Sequence, residues 1–121
     1  MATVRYLVTD VDAAIAFYTE RLGFTLQQQM GPAFAIVAHD GLSLWLAGPK
    51  SSAARAMPDG RKPEPGGWNR LVLELDDLEA EVAALREAGA TFRNEIVTGP
   101  GGKQILLEDP DGNPIELFQP G

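Results

Sequence analysis

The sequence predicts an α+β domain made of two repeated βαβββ modules. Residues 40–49 return as residues 111–120, and both segments begin with Asp-Gly and end with proline. In each copy a β-rich segment comes first, a stretch with apolar residues at helical spacing follows, and three short β-like segments come last. A duplicated unit predicts two similar modules around a pseudo-twofold axis. The groove between such modules is where we expect a ligand.

The composition fits one domain over residues 1–121 and excludes several kinds of partner. A net charge of −7 repels nucleic acid phosphates and anionic membranes, so neither is expected as a partner. The chain has no cysteine, which excludes disulfides and thiolate metal sites. It also has no apolar run of about 18 residues and no apolar leader, so we expect a cytoplasmic protein without a membrane span.

The first module is predicted over residues 1–48. Apolar residues at helical spacing predict a helix over 11–22, with Asp10 or Thr9 as its cap and Gly23 as its left-handed end. The strands of this module are predicted at residues 2–9, 24–30, 33–39 and 42–47.

The second module is predicted over residues 68–121. Asp76 and Glu79 resemble a capping box at the start of its helix, and Gly89 ends that helix. Between the modules, residues 49–67 are rich in proline and glycine and show no evident secondary structure. We interpret them as a tether rather than as a lid. The strands of the second module are predicted at residues 70–75, 91–97, 103–108 and 114–118.

Strand alternation sorts the side chains onto two faces. One face is apolar throughout and is predicted to lie beneath the helices as the core. The other mixes charged, hydroxyl and aromatic groups, and is predicted to line an open trough that holds the site. The apolar face carries Val4, Tyr6, Val8, Leu42, Leu44, Leu46, Leu71, Leu73, Leu75, Ile115 and Leu117. The mixed face carries Thr3, Arg5, Leu7, Ser43, Trp45, Ala47, Arg70, Val72, Glu74, Pro114, Glu116 and Phe118.

Three motifs resemble the vicinal oxygen chelate superfamily, the glyoxalase/bleomycin-resistance/dioxygenase fold. They are Val-Thr-Asp-Val-Asp at 8–12, Phe-Tyr-Thr-Glu-Arg-Leu-Gly-Phe at 17–24 and Asp-Pro-Asp-Gly-Asn-Pro-Ile-Glu-Leu at 109–117. The resemblance implies that the two modules form a cupped, mixed β-sheet half-barrel with helices on its outer face. It also implies a homodimer, in which the modules pair within one chain or swap between two.

The same resemblance implies where a metal would bind. Only one of the four repeat-related ligand positions, Glu116, carries a group that binds divalent metals. Another of the four positions carries Arg70, whose positive charge would repel a cation. We therefore expect no bound metal, no other cofactor, and no metal-dependent lyase or dioxygenase activity. The four positions fall on Thr3, Trp45, Arg70 and Glu116.

Arg70 and Glu116 occupy neighbouring ligand positions, and an ion pair between them is the first interpretation. Glu116 is also the one candidate for an acid/base role, and Arg70 is alternatively a group that binds a substrate carboxylate or phosphate. Glu74 is expected to balance the charge of Arg5 or Arg70.

The remaining candidates on the mixed face are aromatic or polar. Trp45 is interpreted either as a surface on which a planar ligand stacks or as a side chain that fills the cavity. Phe118 and the nearby Trp68 favour a flat, largely apolar ligand. Thr3 and Arg5 complete the predicted ligand-binding set, although Arg5 also suits a solvated or dimer-interface position.

The function that the residues favour is metal-free binding of a small aromatic or amphiphilic molecule, as in the bleomycin-resistance type. The alternative is an enzyme of the glyoxalase/dioxygenase class, with an atypical metal or with Glu116 as a metal-free acid/base. A third possibility is a module kept for protein–protein contact.

Overall fold

The computed structural model describes residues 2–121, which form two compact units. Unit 1 ends at Gly66 and unit 2 is Gly67–Gly121. Each unit contains one helix and one mixed β-sheet, which confirms the predicted α+β class. Neither helix within residues 2–121 is long and apolar enough to cross a bilayer.

Unit 1 follows the predicted βαβββ order. β1 and β4 are parallel neighbours, although the helix, β2 and β3 lie between them in sequence, and β3 and β2 continue the sheet antiparallel in the order β1-β4-β3-β2. The helix begins as expected at Asp10, whose side chain accepts a hydrogen bond from the Ala13 N–H, and Gly23 follows it with a φ of 73°. The elements are β1 (Ala2–Leu7), α1 (Val11–Arg21), β2 (Thr25–Met30), β3 (Phe34–His39) and β4 (Leu42–Ala47).

The core of unit 1 lies between α1 and the apolar face of its sheet. Cross-strand registers place Leu44 beside Val37, and Leu46 between Tyr6 and Ala35. All of these side chains are buried. α1 packs against β3 and β4 and buries its own apolar stripe, Val11, Ala14 and Tyr18. The sequence pattern thus assigns this face correctly.

Unit 2 repeats the arrangement with one additional strand. β5 is parallel to β9, β8 lies antiparallel beyond it, and both β6 and β7 pair with β8. α2 buries Leu78, Val82 and Leu85. The elements are β5 (Leu71–Glu74), α2 (Leu78–Glu87), β6 (Thr91–Phe92), β7 (Val97–Gly99), β8 (Gly102–Glu108) and β9 (Pro114–Pro120).

The prediction of one strand over 91–97 is wrong, because β6 ends at Phe92 and pairing resumes only at Val97. The intervening chain uses side chains in place of a regular ladder. Asn94 Oδ1 accepts the hydrogen bond of the Leu106 N–H at 2.9 Å. The Arg93 N–H still donates to the Leu106 carbonyl at 2.9 Å. This local bulge turns the Arg93 side chain toward other parts of unit 2.

Two further predictions need correction. The cap of α2 is Asp77, whose Oδ1 accepts from the Ala80 N–H at 3.1 Å, and not Asp76. The segment after β4 contains a short 3-10 turn at Ser52–Ala54, where the sequence shows no evident structure. Both errors are local. Two adjacent aspartates are equally good candidates for a helix cap, and a single 3-10 turn looks much like irregular chain in a sequence.

Candidate functional site

The mixed face of unit 1 presents a stacked cation and indole. Arg5 on β1 lies directly opposite Trp45 on β4, and the Arg5 Cζ atom is 5.0 Å from the centre of the indole. Phe34 on β3 meets the indole edge-on, with ring centroids 5.5 Å apart and an interplanar angle of 84°. Trp45 is half-buried and Thr3, on the same face, is exposed. Trp45 therefore lies on the mixed face, where the alternation puts it, with one side of its ring beneath a guanidinium.

The mixed face of unit 2 carries the predicted Arg70–Glu116 ion pair. Arg70 Nη2 and Nε donate to the same oxygen, Glu116 Oε1, at 2.9 and 3.1 Å. Arg70 Nη1 donates to the Trp68 carbonyl at 3.3 Å. The side chains are 29% exposed for Arg70 and 12% exposed for Glu116, so the carboxylate is the more deeply buried partner. The pair is thus largely, but not fully, removed from water.

The second oxygen of Glu116 has a different environment. Oε2 has no hydrogen-bond partner among residues 2–121, and no buried side-chain oxygen or nitrogen of the described, non-exposed residues lacks a partner. Oε2 is therefore at least partly open to solvent. Its neighbours there are apolar, because Val72 and Leu106 lie directly across from Glu116 on the adjacent strands and Phe118 is two residues along β9. A ligand beside Oε2 meets a hydrogen-bond acceptor next to three apolar side chains, and polar side chains lie across from Phe118 on both neighbouring strands.

The expectation that Glu74 balances Arg5 or Arg70 is wrong, because Glu74 forms no ion pair among the described residues. Glu74 lies four residues beyond Arg70 along an extended chain, a separation of about 13 Å that places the two charges apart. The guanidinium of Arg70 is already engaged by Glu116.

Not every residue assigned to the mixed face is open to solvent. Ser43, Ala47 and Pro114 are buried there, whereas Trp45 and Glu116, which alternate with them, are half-buried. These three side chains are short, so their larger neighbours on the same face cover them.

Sequence reasoning missed Arg93, whose guanidinium makes three hydrogen bonds, as many as that of Arg70. Arg93 Nε donates to Glu108 Oε2 at 2.8 Å, Nη1 donates to the Gly67 carbonyl at 2.7 Å, and Nη2 donates to the Gly112 carbonyl at 2.8 Å. Its Cζ atom lies 4.5 Å from the centre of the Trp68 ring. The available signal was the run Arg-Asn-Glu at 93–95, which interrupts the alternation expected of a strand.

The charge of the chain is unevenly distributed between the units. Residues 1–66 hold six basic and six acidic residues, whereas residues 67–121 hold four basic and eleven acidic residues. The whole net charge of −7 therefore resides in unit 2. Even so, residues 2–121 contain no group of three or more histidine, aspartate or glutamate side chains arranged to hold a metal ion.

Comparison with known proteins identifies the family. The model of the Glyoxalase/Bleomycin resistance protein/Dioxygenase superfamily matches residues 1–117. An uncharacterized Bacillus subtilis protein, YwbC, is 30% identical over 116 residues, which cover 93% of this chain and 91% of YwbC.

Solved structures give the same result. TnmS3, an antibiotic binding protein from Streptomyces sp. CB03234, is 32% identical with a TM-score of 0.74, and the match covers 100% of this chain and 95% of TnmS3. A lactoylglutathione lyase from Agrobacterium tumefaciens shares the fold, with a TM-score of 0.76 at 19% identity and coverage of 98% and 92%. The chain belongs to the Glyoxalase/Bleomycin resistance protein/Dioxygenase superfamily.

Proposed function

We propose that the mixed faces bind a small, planar, aromatic or amphiphilic molecule without a metal ion. The observation that carries the proposal is the Arg70–Glu116 pair, which leaves Glu116 Oε2 without a hydrogen-bond partner beside Val72, Leu106 and Phe118. The proposed contact residues are Thr3, Arg5 and Trp45 on unit 1, and Arg70, Glu116 and Phe118 on unit 2. The likeness to TnmS3, an antibiotic binding protein, supports this reading.

The charge pattern specifies the ligand further. Arg70 is already neutralised by Glu116, and three of its five N–H groups are used within unit 2. The reachable group is a carboxylate oxygen, which accepts a hydrogen bond, while the charges of Arg70 and Glu116 largely cancel. Because unit 2 also carries the entire net negative charge, we infer that the ligand is neutral or cationic and bears a hydroxyl or N–H donor. This replaces the alternative in which Arg70 binds a carboxylate or phosphate.

The residues at the four predicted ligand positions do not fit a divalent cation. In unit 2 the guanidinium of Arg70 lies 2.9 Å from the only carboxylate of the set, where its positive charge opposes a second cation. In unit 1 the corresponding residues are Thr3 and Trp45, and an indole offers no lone pair to a metal. We therefore derive no step through a metal.

A binding experiment tests the proposal with quinizarin, a neutral planar tricycle with two hydroxyl groups and visible fluorescence. We expect saturable binding to the wild-type protein and weaker binding of quinizarin sulfonate, its anionic counterpart. Glu116→Gln should weaken quinizarin binding about tenfold, the value of one hydrogen bond to a charged acceptor. The matched control is Glu95→Gln, since Glu95 also pairs with an arginine but lies exposed on another part of unit 2.

Three outcomes would contradict the proposal. The first is tighter binding of quinizarin sulfonate than of quinizarin. The second is an equal effect of Glu116→Gln and Glu95→Gln on quinizarin affinity. The third is an unchanged quinizarin affinity in the double variant Trp45→Phe/Glu116→Gln. Metal analysis of protein purified without chelator is the companion measurement, and one divalent ion per chain would overturn the metal-free part.

A second function is favoured by the same reachable oxygen. Glu116 Oε2 is available to exchange a proton with a bound substrate, which is the requirement for a metal-free acid/base enzyme. Turnover of a hemithioacetal that is abolished in Glu116→Gln and retained in Glu95→Gln would favour this enzyme over a binding protein. The cleft between modules, the homodimer and the cytoplasmic location stay predictions, and light scattering of the purified protein tests the homodimer.

A further inference from the structure

We propose that Arg93 is a positioning residue for the ligand site on unit 2, and this inference rests on the proposed function. Arg93 lies in the bulge between β6 and β7, and its side chain is only 15% exposed. Its three hydrogen bonds reach a β8 carboxylate and the carbonyls of Gly67 and Gly112. One guanidinium thereby joins the start of unit 2 to β8 and to the turn before β9.

The turn that receives Arg93 is itself rigid. Asp109 Oδ1 accepts hydrogen bonds from the Asp111 and Asn113 N–H groups, both at 2.9 Å, and its Oδ2 accepts from Asn113 Nδ2 at 3.0 Å. Asp109 and Asn113 are buried. The carbonyl of Gly112 is therefore held in a fixed place, and the guanidinium that donates to it is anchored on a stiff support.

The segment that Arg93 holds needs such support. Gly66 and Gly67 have φ values of 109° and 88°, in a region that glycine enters freely, so this part of the chain has little conformational restriction of its own. Trp68 follows at once and is 68% exposed. Among residues 2–121, the guanidinium of Arg93 is the one group that stacks on the Trp68 ring. An indole that would otherwise move freely in solvent is thus held in one orientation.

The effect extends to the ion pair through the backbone. The Trp68 carbonyl accepts from Arg70 Nη1, and the other nitrogens of that guanidinium bind Glu116. Arg93 therefore holds the Gly67–Trp68 peptide and the Trp68 ring, and the next peptide along the chain carries the carbonyl that binds Arg70. Neither Arg70 nor Glu116 needs to contact Arg93 for their relative geometry to depend on it.

A guanidinium is required for this role. Lysine would keep the positive charge beside Glu108, but its single ammonium cannot supply three donors in the planar arrangement that reaches Glu108 and two carbonyls. Arg93→Lys therefore separates charge from positioning, whereas Arg93→Met removes both.

The test uses Trp68 as its own reporter. The chain has two tryptophans, so in a Trp45→Phe background Trp68 is the only indole. We expect Arg93→Met and Arg93→Lys to lower the fluorescence anisotropy of Trp68 in the folded protein. The matched control is Arg86→Met, because Arg86 also pairs with a glutamate and also covers an aromatic ring, with its Cζ atom 4.9 Å from the centre of Phe92.

The second measurement is the coupling between Arg70 and Glu116 from a double-mutant cycle of unfolding constants. We expect a coupling of at least about tenfold in the wild type. In the Arg93→Lys background it should fall below about threefold, and in the Arg86→Met background it should be unchanged. Neither readout requires a ligand, so failure of quinizarin to bind would overturn the proposed function while the positioning role is still decided.

Quinizarin binding completes the experiment. The affinity should fall about fivefold in Arg93→Lys, consistent with partial loss of one charged hydrogen bond at Glu116, and should not change in Arg86→Met. A lower melting temperature with unchanged Trp68 anisotropy and unchanged Arg70–Glu116 coupling would mean a merely structural role, and would overturn the inference.

Discussion

Removing either partner of the Arg70–Glu116 pair should destabilise the fold by different amounts. In Arg70→Met the Glu116 carboxylate, 12% exposed, loses both N–H donors and is left mostly out of water. Breaking a buried pair costs about 3–5 kcal/mol, and partial exposure places this change near the lower end, at about 3 kcal/mol. In Glu116→Leu the guanidinium is 29% exposed and keeps its bond to the Trp68 carbonyl, so we expect a cost of about 1.5 kcal/mol.

The double variant should show that the two groups are coupled. Because neither charge is left buried without its partner, the free energy of unfolding of Arg70→Met/Glu116→Leu should fall by only about 1 kcal/mol. This is far less than the sum of the two single changes. Urea unfolding followed by far-ultraviolet circular dichroism measures all three. The control pair, Arg86→Met and Glu95→Leu, lies on the surface and should cost less than about 1 kcal/mol for either change. Additive single effects, or a larger loss in Glu116→Leu than in Arg70→Met, would refute the reasoning.

Two further predictions concern the local structure of unit 2. Gly102→Ala should destabilise the fold by about 3 kcal/mol, because an added Cβ would clash with the carbonyl oxygen of Gln119 at a φ of 143°. Gly101→Ala, which has open space around the added Cβ, should be near neutral in thermal unfolding. Asp77→Ala should cost about 1 kcal/mol by removing the cap of α2, and Asp76→Ala should not, so equal losses of helix stability would contradict the cap assignment.

Much of the fold could be predicted because its signals are local. Alternation of apolar residues separates the two faces wherever a strand is paired throughout, as in β4 and β9. The ends of both helices are marked by glycines that the structure finds in the left-handed region, Gly23 at 73° and Gly89 at 84°. The resemblance to the superfamily rests on the same local motifs, and the family match confirms it.

The features that could not be predicted depend on contacts distant in sequence. In the bulge at 93–96, Arg93 has partners at Gly67 and Gly112, which are 26 and 19 residues away. No local sequence pattern predicts that the side chain of Arg93 will bind two carbonyls in distant parts of the chain. The orientation of Glu116, with one oxygen bonded twice and the other reachable, is likewise set by where Arg70 ends rather than by the identity of either residue.

Stability alone gives no reason to keep an arginine and a glutamate on the mixed face. Apolar replacements of a buried ion pair are often neutral or stabilising, and this pair already has Val72 and Leu106 beside it. The Arg70→Met/Glu116→Leu variant would therefore keep the fold while removing the Glu116 carboxylate, and we expect it to bind quinizarin at least tenfold more weakly, as for Glu116→Gln. A folded double variant that binds quinizarin as tightly as the wild type would show that the pair serves neither stability nor binding, and the proposed function would then be lost.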